Sequence, residues 1–340
     1  MIKITMFSSA NKVAGQGVGS AYVELVNLLN ERFADQFDIK INKLRRSQIS
    51  HYHTIDPQFF LSTLLPGRGR KIGYVHFLPE TLKGSLKIPQ PFKSIFYWYV
   101  LTFYRRMDHI VVVNPSFISK LEAVGIDRGK ITYIPNFVDP EEFSEYTPTR
   151  KVELRKELGF DQSKFLVMGA GQIQERKGVN DFIELARRNS EMQFVWVGGF
   201  SFGKITDGYA DLKKVVDNPP ANLTFPGIVG RDKIVDYYNI ADLFLLPSYN
   251  ELFPMSVLEA FSCGTPVLLR DLELYRAIID GYYEAAEDVD DMNQKIQLLQ
   301  HNPAGLQFLH DKSVIASQRY SKDHLATIWE KFYEEQAREV

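Results

Sequence analysis

The chain has 340 residues, 45% of them apolar and 24% charged, which is an ordinary soluble composition and enough for two units with a core each. One cysteine, Cys263, excludes an intramolecular disulfide and a cysteine metal cluster, and no apolar run nears the roughly 20 residues that span a bilayer. The net charge of −2 hides an asymmetry: residues 1–150 hold 19 Lys/Arg and 13 Asp/Glu, and residues 151–340 hold 21 and 29. Within 40–110 there are 12 basic and 3 acidic side chains, which points to an anionic surface or polymer as partner of the first half.

Residues 1–7, Met-Ile-Lys-Ile-Thr-Met-Phe, read as a first strand and lack the long apolar core of a signal peptide, so a cytoplasmic chain is expected. The loop Asn11-Lys-Val-Ala-Gly-Gln-Gly-Val-Gly-Ser20 follows, then a helix with Tyr22, Leu25, Val26, Leu29 and Phe33 on one face. Strand, glycine loop and helix open a nucleotide-binding type of α/β unit. Gly15, Gly17 and Gly19 fit neither G-x-G-x-x-G nor a P-loop. By themselves they signify a tight turn with φ > 0 or a close approach of backbone to a ligand. Lys71–Leu78 predicts another strand, with His76 near its end, where such folds place functional groups; a satisfied core histidine fits the same position. His109, inside 107–116, reads as structural.

Residues 82–107 contain five Lys/Arg, seven aromatics and no acid. Lys83, Lys87, Lys93, Arg105 and Arg106 beside Phe96 and Trp98 suit a helix lying in the interface of an anionic bilayer. A core helix with a basic outer face fits too, and the two combine if the first residues insert and the last ones pack. No nucleic-acid motif accompanies the charge, so no nucleic-acid partner is expected.

Acid, Pro and Thr dominate from Ile131-Thr-Tyr-Ile-Pro-Asn-Phe-Val-Asp-Pro140 to Thr149, an exposed connection that places a boundary near 148. Phe165–Gly171 is a strand running into glycines, followed by Gln172-Ile-Gln-Glu-Arg-Lys-Gly178 and a helix bearing Val179, Phe182, Ile183 and Ala186. Arg176 and Lys177, between a strand end and a helix start, either clamp a diphosphate or form a solvated turn. Gln193–Gly199 and Leu223–Val229 continue the alternation, giving a parallel sheet covered on both faces. Asp288-Val-Asp290 reads as a helix cap rather than a metal site. The last helix places Leu325, Ile328, Trp329, Phe332 and Tyr333 in one helical stripe.

The most informative stretch is Pro247-Ser-Tyr-Asn-Glu-Leu-Phe-Pro-Met-Ser-Val-Leu-Glu-Ala-Phe-Ser-Cys-Gly-Thr-Pro266. It predicts a helix opening at Pro254 and ending at Gly264, with Glu251 before it and Glu259 inside it. Free N–H groups at the helix start favour phosphate. A carboxylate on either side suits a ligand with hydroxyls at both ends and phosphates between, as in a sugar nucleotide.

This stretch, with Gly264-Thr-Pro-Val267, resembles the Glu-x7-Glu signature of the family-four glycosyltransferases. The resemblance covers nearly the whole chain and is strongest from 165 to 270. It implies an α/β GT-B fold: two Rossmann-like domains, an interdomain cleft and a C-terminal crossing helix. The first domain would be 1–148 plus 320–340, facing acceptor and membrane, and the second 149–319, binding the nucleotide sugar. It assigns Glu251 to the donor hexose and Glu259 to the ribose. It gives Lys177 to the diphosphate and His76 to the hexose, these two and Glu251 being the catalytic set. Gln172 departs from the family, which has Arg there, and Arg176 is the candidate replacement. Gly17, Gly19, Phe253, Pro254, Met255, Ile228 and Val229 complete the donor site, with 223–229 holding the base. The glycine loop and His76-Phe-Leu-Pro-Glu-Thr-Leu-Lys-Gly-Ser85 look most like bacterial enzymes that extend monoglycosyldiacylglycerol to a diglycosyl lipid. The expectation is a retaining, metal-free transferase with no cofactor, using UDP-glucose or UDP-galactose, peripheral on the inner face of the cell membrane. A polysaccharide or cell-wall glycosyltransferase stays open, as does a non-catalytic sugar-nucleotide-binding regulator, at which only Gln172 hints.

Overall fold

The computed structural model describes residues 1–10, 17–76, 78, 90–201, 203, 206 and 208–340, with backbone alone at 17, 18, 90, 91 and 93. The first half runs β1 (Ile2–Phe7), α1 (Gly17–Arg32), β2 (Phe37–Ile41), β3 (Ile49–Tyr52), α2 (Pro57–Ser62), β4 (Arg70–Val75), α3 (Gln90–Arg105), β5 (His109–Val112), α4 (Ser116–Ala123) and β6 (Ile131–Tyr133). The second runs α5 (Pro148–Glu157), β7 (Leu166–Ala170), α6 (Val179–Arg188), β8 (Gln193–Val197), α7 (Tyr209–Asp217), β9 (Leu223–Gly227), α8 (Arg231–Ile240), β10 (Leu243–Leu246) and α9 (Met255–Ser262). It ends with β11 (Val267–Arg270), α10 (Glu273–Arg276), β12 (Glu284–Ala286), α11 (Val289–Gln300), α12 (Pro303–Arg319) and α13 (Lys322–Arg338).

Twelve strands form two parallel sheets of six, ordered β2-β1-β3-β4-β5-β6 and β12-β11-β10-β7-β8-β9. The second is the Rossmann order; the first is the flavodoxin-like order with one strand added. The order reverses between β1 and β3 in one sheet and between β7 and β10 in the other. Ligands of open α/β sheets bind at the carboxyl ends of such strand pairs.

β7, β10 and β11 are buried at every residue, as continuous apolar runs must be when helices cover both faces of a sheet. β2, β3 and β12 went unseen in the sequence. β2 carries Asp38 and Lys40 and is exposed at its far end, an edge strand with little apolar signal. α1 opens at Gly17, inside the glycine loop, rather than after Ser20.

The final helix crosses to the first sheet. Trp329 and Tyr333 of α13 are fully buried, Tyr333 Oη lies 2.7 Å from His51 Nδ1, and Trp329 stands edge-on to Tyr74. Ile328, expected in the buried stripe, is 38% exposed. The stripe centres on Leu325, Trp329, Phe332 and Gln336, which leaves Ile328 on its margin. Asp288 caps α11, its carboxylate accepting from the backbone N–H groups of Asp290 and Asp291. His109 is structural, its Nε2 2.8 Å from Thr132 Oγ1.

Candidate active site

The crevice between β7 and β10 is built by two turns that lock together. After β7 the chain makes a 3₁₀ turn, Glu175–Lys177, and reverses at Gly178, whose φ is +69°. A Cβ there would lie 2.1 Å from the Pro247 carbonyl oxygen, so only glycine lets this turn seat against the loop after β10. Seated, it brings Lys177 and Arg176 to Glu251.

Lys177 Nζ bonds Glu251 Oε1 at 2.5 Å, and Arg176 Nη1 lies 3.7 Å from Oε2. Ser248 Oγ donates to the same Oε1 at 2.7 Å, and Arg176 also donates to the Asn250 carbonyl at 2.6 Å. Glu251 is only 6% exposed. Burial pushes its pKa up, but Lys177, Arg176 and the two hydrogen bonds outweigh this and hold it below the ordinary value. Burial, aided by Arg176, lowers the pKa of Lys177 against the pull of Glu251. Two cations therefore share one carboxylate, and the group keeps one uncompensated positive charge suited to an anion.

Gln172, at the position lacking an arginine, is buried, and its Oε1 accepts from Gln174 Nε2 at 2.7 Å. Arg176 is the second cation beside Glu251.

The loop from Glu251 to Pro254 is pinned from the other sheet. Asn114, beyond β5, donates to the Leu252 carbonyl at 2.9 Å, and Asn136, beyond β6, donates to the Phe253 carbonyl at 3.3 Å. Phe253 and Met255 are buried, and Pro254 caps α9 with extended backbone. Glu259 lies within α9, its Oε2 accepting from Tyr238 Oη at 2.7 Å and its Oε1 3.7 Å from Arg231 Nη1. Burial raises its pKa, opposed by Arg231 and the Tyr238 hydrogen bond. Ile228 is exposed and Val229 partly buried just past β9, next to the glycines that end β8.

From the first sheet, His76 follows β4 and is buried, its ring centre 4.3 Å from that of Tyr74 and 5.9 Å from that of His53. Burial holds its pKa down at about 3, so it is a neutral imidazole, and among the described residues its Nε2 has no hydrogen-bond partner. No hydrogen bond joins it to Glu251 or Lys177 among the described residues. Gly17 and Gly19 lie in the first turn of α1, and a Cβ on Gly19 would stand 3.2 Å from the Ala10 carbonyl oxygen. Most of the glycine loop, residues 11–16, lies outside the described residues.

At the β1–β3 crevice Ser9 Oγ donates to Asp56 at 2.8 Å, beside an apolar groove of about 470 Å³ lined by Thr54, Ile55, Asp56, Pro57, Phe96 and Tyr99. On the outer side of α3, Phe92, Ile95 and Trp98 are 64%, 62% and 65% exposed. Arg105 and Arg106 instead donate to the Val124 carbonyl and Thr63 Oγ1. Lys83 and Lys87 lie outside the described residues, as does the Lys93 side chain.

Residues 150–314 match the glycosyl transferases group 1, and residues 16–142 match Glycosyltransferase Family 4. The chain is 52% identical over 337 residues to the alpha-galactosylglucosyldiacylglycerol synthase of Streptococcus pneumoniae, covering 99% of this chain and 90% of that one. The chain belongs to the family-four glycosyltransferases. Its fold is likewise that of solved GT-B members. Sucrose-phosphate synthase of Thermosynechococcus elongatus superposes with a TM-score of 0.82 over 100% of both chains at 16% identity. Anabaena HepE in complex with UDP-glucose gives 0.79 over 98% of this chain and 100% of that one, at 13% identity.

Sequence reading missed Ser248, Arg231, Tyr238, Asn114 and Asn136. Only Arg231 and Tyr238, seven apart on one helix, carried any signal: a cation and a phenol on one face.

Proposed function

We propose that this chain transfers a hexose, glucose or galactose, from a UDP-sugar to a monoglucosyldiacylglycerol at a membrane surface, with retention of anomeric configuration. The observation that carries this is the Lys177–Arg176–Glu251 group in the β7–β10 crevice of a chain matching a glycolipid synthase almost end to end. The diphosphate takes the place beside Lys177 and Arg176 at the start of α9, and the hexose lies against Glu251 on the side of His76. The ribose hydroxyls go to Glu259, and the base lies by Ile228 and Val229. As the bond from sugar C1 to the diphosphate oxygen breaks, charge grows on UDP, where the two cations and the helix N–H groups stabilise it. The acceptor hydroxyl oxygen bonds C1 and releases its proton. Charge stabilisation of the kind a divalent ion would give is thus within reach of side chains.

The acceptor enters from the first sheet, residues 1–148 with 320–340, its lipid part along the groove between α3 and the turn after β3. The exposed Phe92, Ile95 and Trp98 on that same helix support a peripheral position on an anionic membrane, on its inner face. Arg176 beside Glu251 supports turnover over a regulator, as a second cation near a site that has glutamine at 172.

The test incubates the purified protein with UDP-glucose or UDP-galactose, with diacylglycerol or monoglucosyldiacylglycerol in mixed micelles. A diglycosyl lipid formed only from the monoglucosyl acceptor is expected, also in the presence of a chelator. Transfer to a water-soluble acceptor alone, or strict dependence on a divalent ion, overturns the reading.

A further inference from the structure

Three charged groups from three parts of the chain meet beside Glu259. Arg231, the first residue of α8, contacts Glu24 of α1 through Nη2 and donates from Nε to Glu142 at 2.6 Å. Its Nη1 is 3.7 Å from Glu259 Oε1, and its guanidinium carbon lies 4.8 Å from the Phe143 ring centre. At 3.7 Å the charge is felt, but no hydrogen bond is made. Tyr238 occupies only Oε2. Among the described residues, Glu259 Oε1 thus accepts no hydrogen bond.

We propose that Arg231 is a positioning residue for the donor's ribose site. Glu24, reaching across from the first sheet's α1, and Glu142 hold it off Glu259, so that this carboxylate remains open to the ribose hydroxyls. The inference rests on reading Glu259 as the ribose partner.

Glu24 is nearly inaccessible, and its surroundings decide when the hold exists. Arg231 of α8 faces it, as do Glu142 and Asp139 of the connection after β6, and Asp139 is in turn bound to Lys322 of α13, which also contacts Glu31 of α1. Burial is the largest effect on Glu24 and raises its pKa; Glu142 and Asp139 add to the rise, Arg231 opposes it, and the result is about 7. Above that pH Glu24 is ionised and holds the guanidinium. Below it Glu24 takes a proton, its grip weakens, and Arg231 closes on Glu259, occupying the lone pairs that the ribose needs. Donor affinity therefore rises with pH through the Glu24 pKa.

The experiment is calorimetric titration of the full chain with UDP-glucose, whose diester diphosphate does not titrate near neutrality, at about pH 6 and about pH 8. Wild type should gain about fivefold in affinity between them, the low end of ordinary coupling between sites. Glu24→Gln should be flat at the wild-type low-pH level. At the higher pH it should also melt above wild type, because a buried ionised carboxylate is gone; a merely structural Glu24 would lower the melting temperature. Arg231→Lys, too short to close on Glu259 from its place beside Glu142, should bind near the wild-type high-pH level at both pH values and lose nothing when Glu24→Gln is added. A wild type without pH dependence, a Glu24→Gln variant that follows wild type, or further loss in the double variant overturns the proposal. Glu259→Gln with undiminished affinity overturns the ribose assignment itself, whatever Glu24→Gln does.

Discussion

Glu251 and Lys177 form a buried pair at 2.5 Å, so each is also a competitor for the other's ligand. On the proposed function, a diphosphate arriving at Lys177 shares it with Glu251, whereas the hexose uses Glu251 itself. The two substitutions should therefore separate. Glu251→Gln removes a charge-assisted hydrogen bond worth roughly 1.5–3 kcal/mol, so transfer should drop about ten- to a hundredfold. UDP, which has no hexose, should bind this variant at least as tightly as wild type by calorimetry. Lys177→Ala should weaken UDP binding directly, and Arg176→Ala should do so to a smaller extent. Weaker UDP binding by Glu251→Gln would contradict the competition. Unchanged transfer would remove Glu251 from the hexose site.

At the scale of elements, α3 changes character along its length. Its first turns expose Phe92, Ile95 and Trp98, while its last residues, Arg105 and Arg106, are tied to Val124 and Thr63 of the fold. The packed reading holds for the last residues, and the exposed first turns leave the membrane reading to experiment. Fully burying such side chains contributes roughly 1.5–3 kcal/mol each. Replacing Phe92, Ile95 and Trp98 by Ser should thus lower sedimentation with anionic vesicles by at least about tenfold, even allowing for partial insertion. The melting temperature should stay near wild type, since these residues leave no cavity. The remaining, cation-driven binding should fall with salt, whose screening length is about 8 Å at physiological strength. Equal vesicle binding by the triple variant would show that this face does not meet the membrane.

The whole molecule is closed by α13, which leaves the second sheet's side at Tyr320 and covers the first. Lys322, at its start, holds Asp139 at 2.6 Å, and Trp329 fills the space over Tyr74 and His51. Trp329→Ala should cost about 3–5 kcal/mol in urea unfolding, as a large cavity opens. The loss belongs to the first sheet, so a two-step transition should appear, with UDP still stabilising the later step. A single transition with unaltered midpoint would mean that α13 is not needed to close the first sheet.

The sequence by itself determined what depends on local pattern. Apolar runs ending in glycine marked β7 and β8, and the run 241–246 ending at Pro247 marked β10, because a strand buried on both faces has no alternative composition. The Glu251–Glu259 stretch showed its helix through Pro254 and Gly264, and its spacing led to the family. Period 3.6 placed α13 on a core, with Ile328 alone misassigned to its interior. What only the tertiary structure decided depends on residues distant in sequence. The union of Lys177 with Glu251, the approach of Arg176 to the same carboxylate, and the Asn114 and Asn136 bonds to the loop after Glu251 all cross between separate segments. So does Arg231, poised among Glu24, Glu142 and Glu259: a guanidinium's partners are set by which strands lie side by side, and strand order leaves no mark on the local pattern of residues.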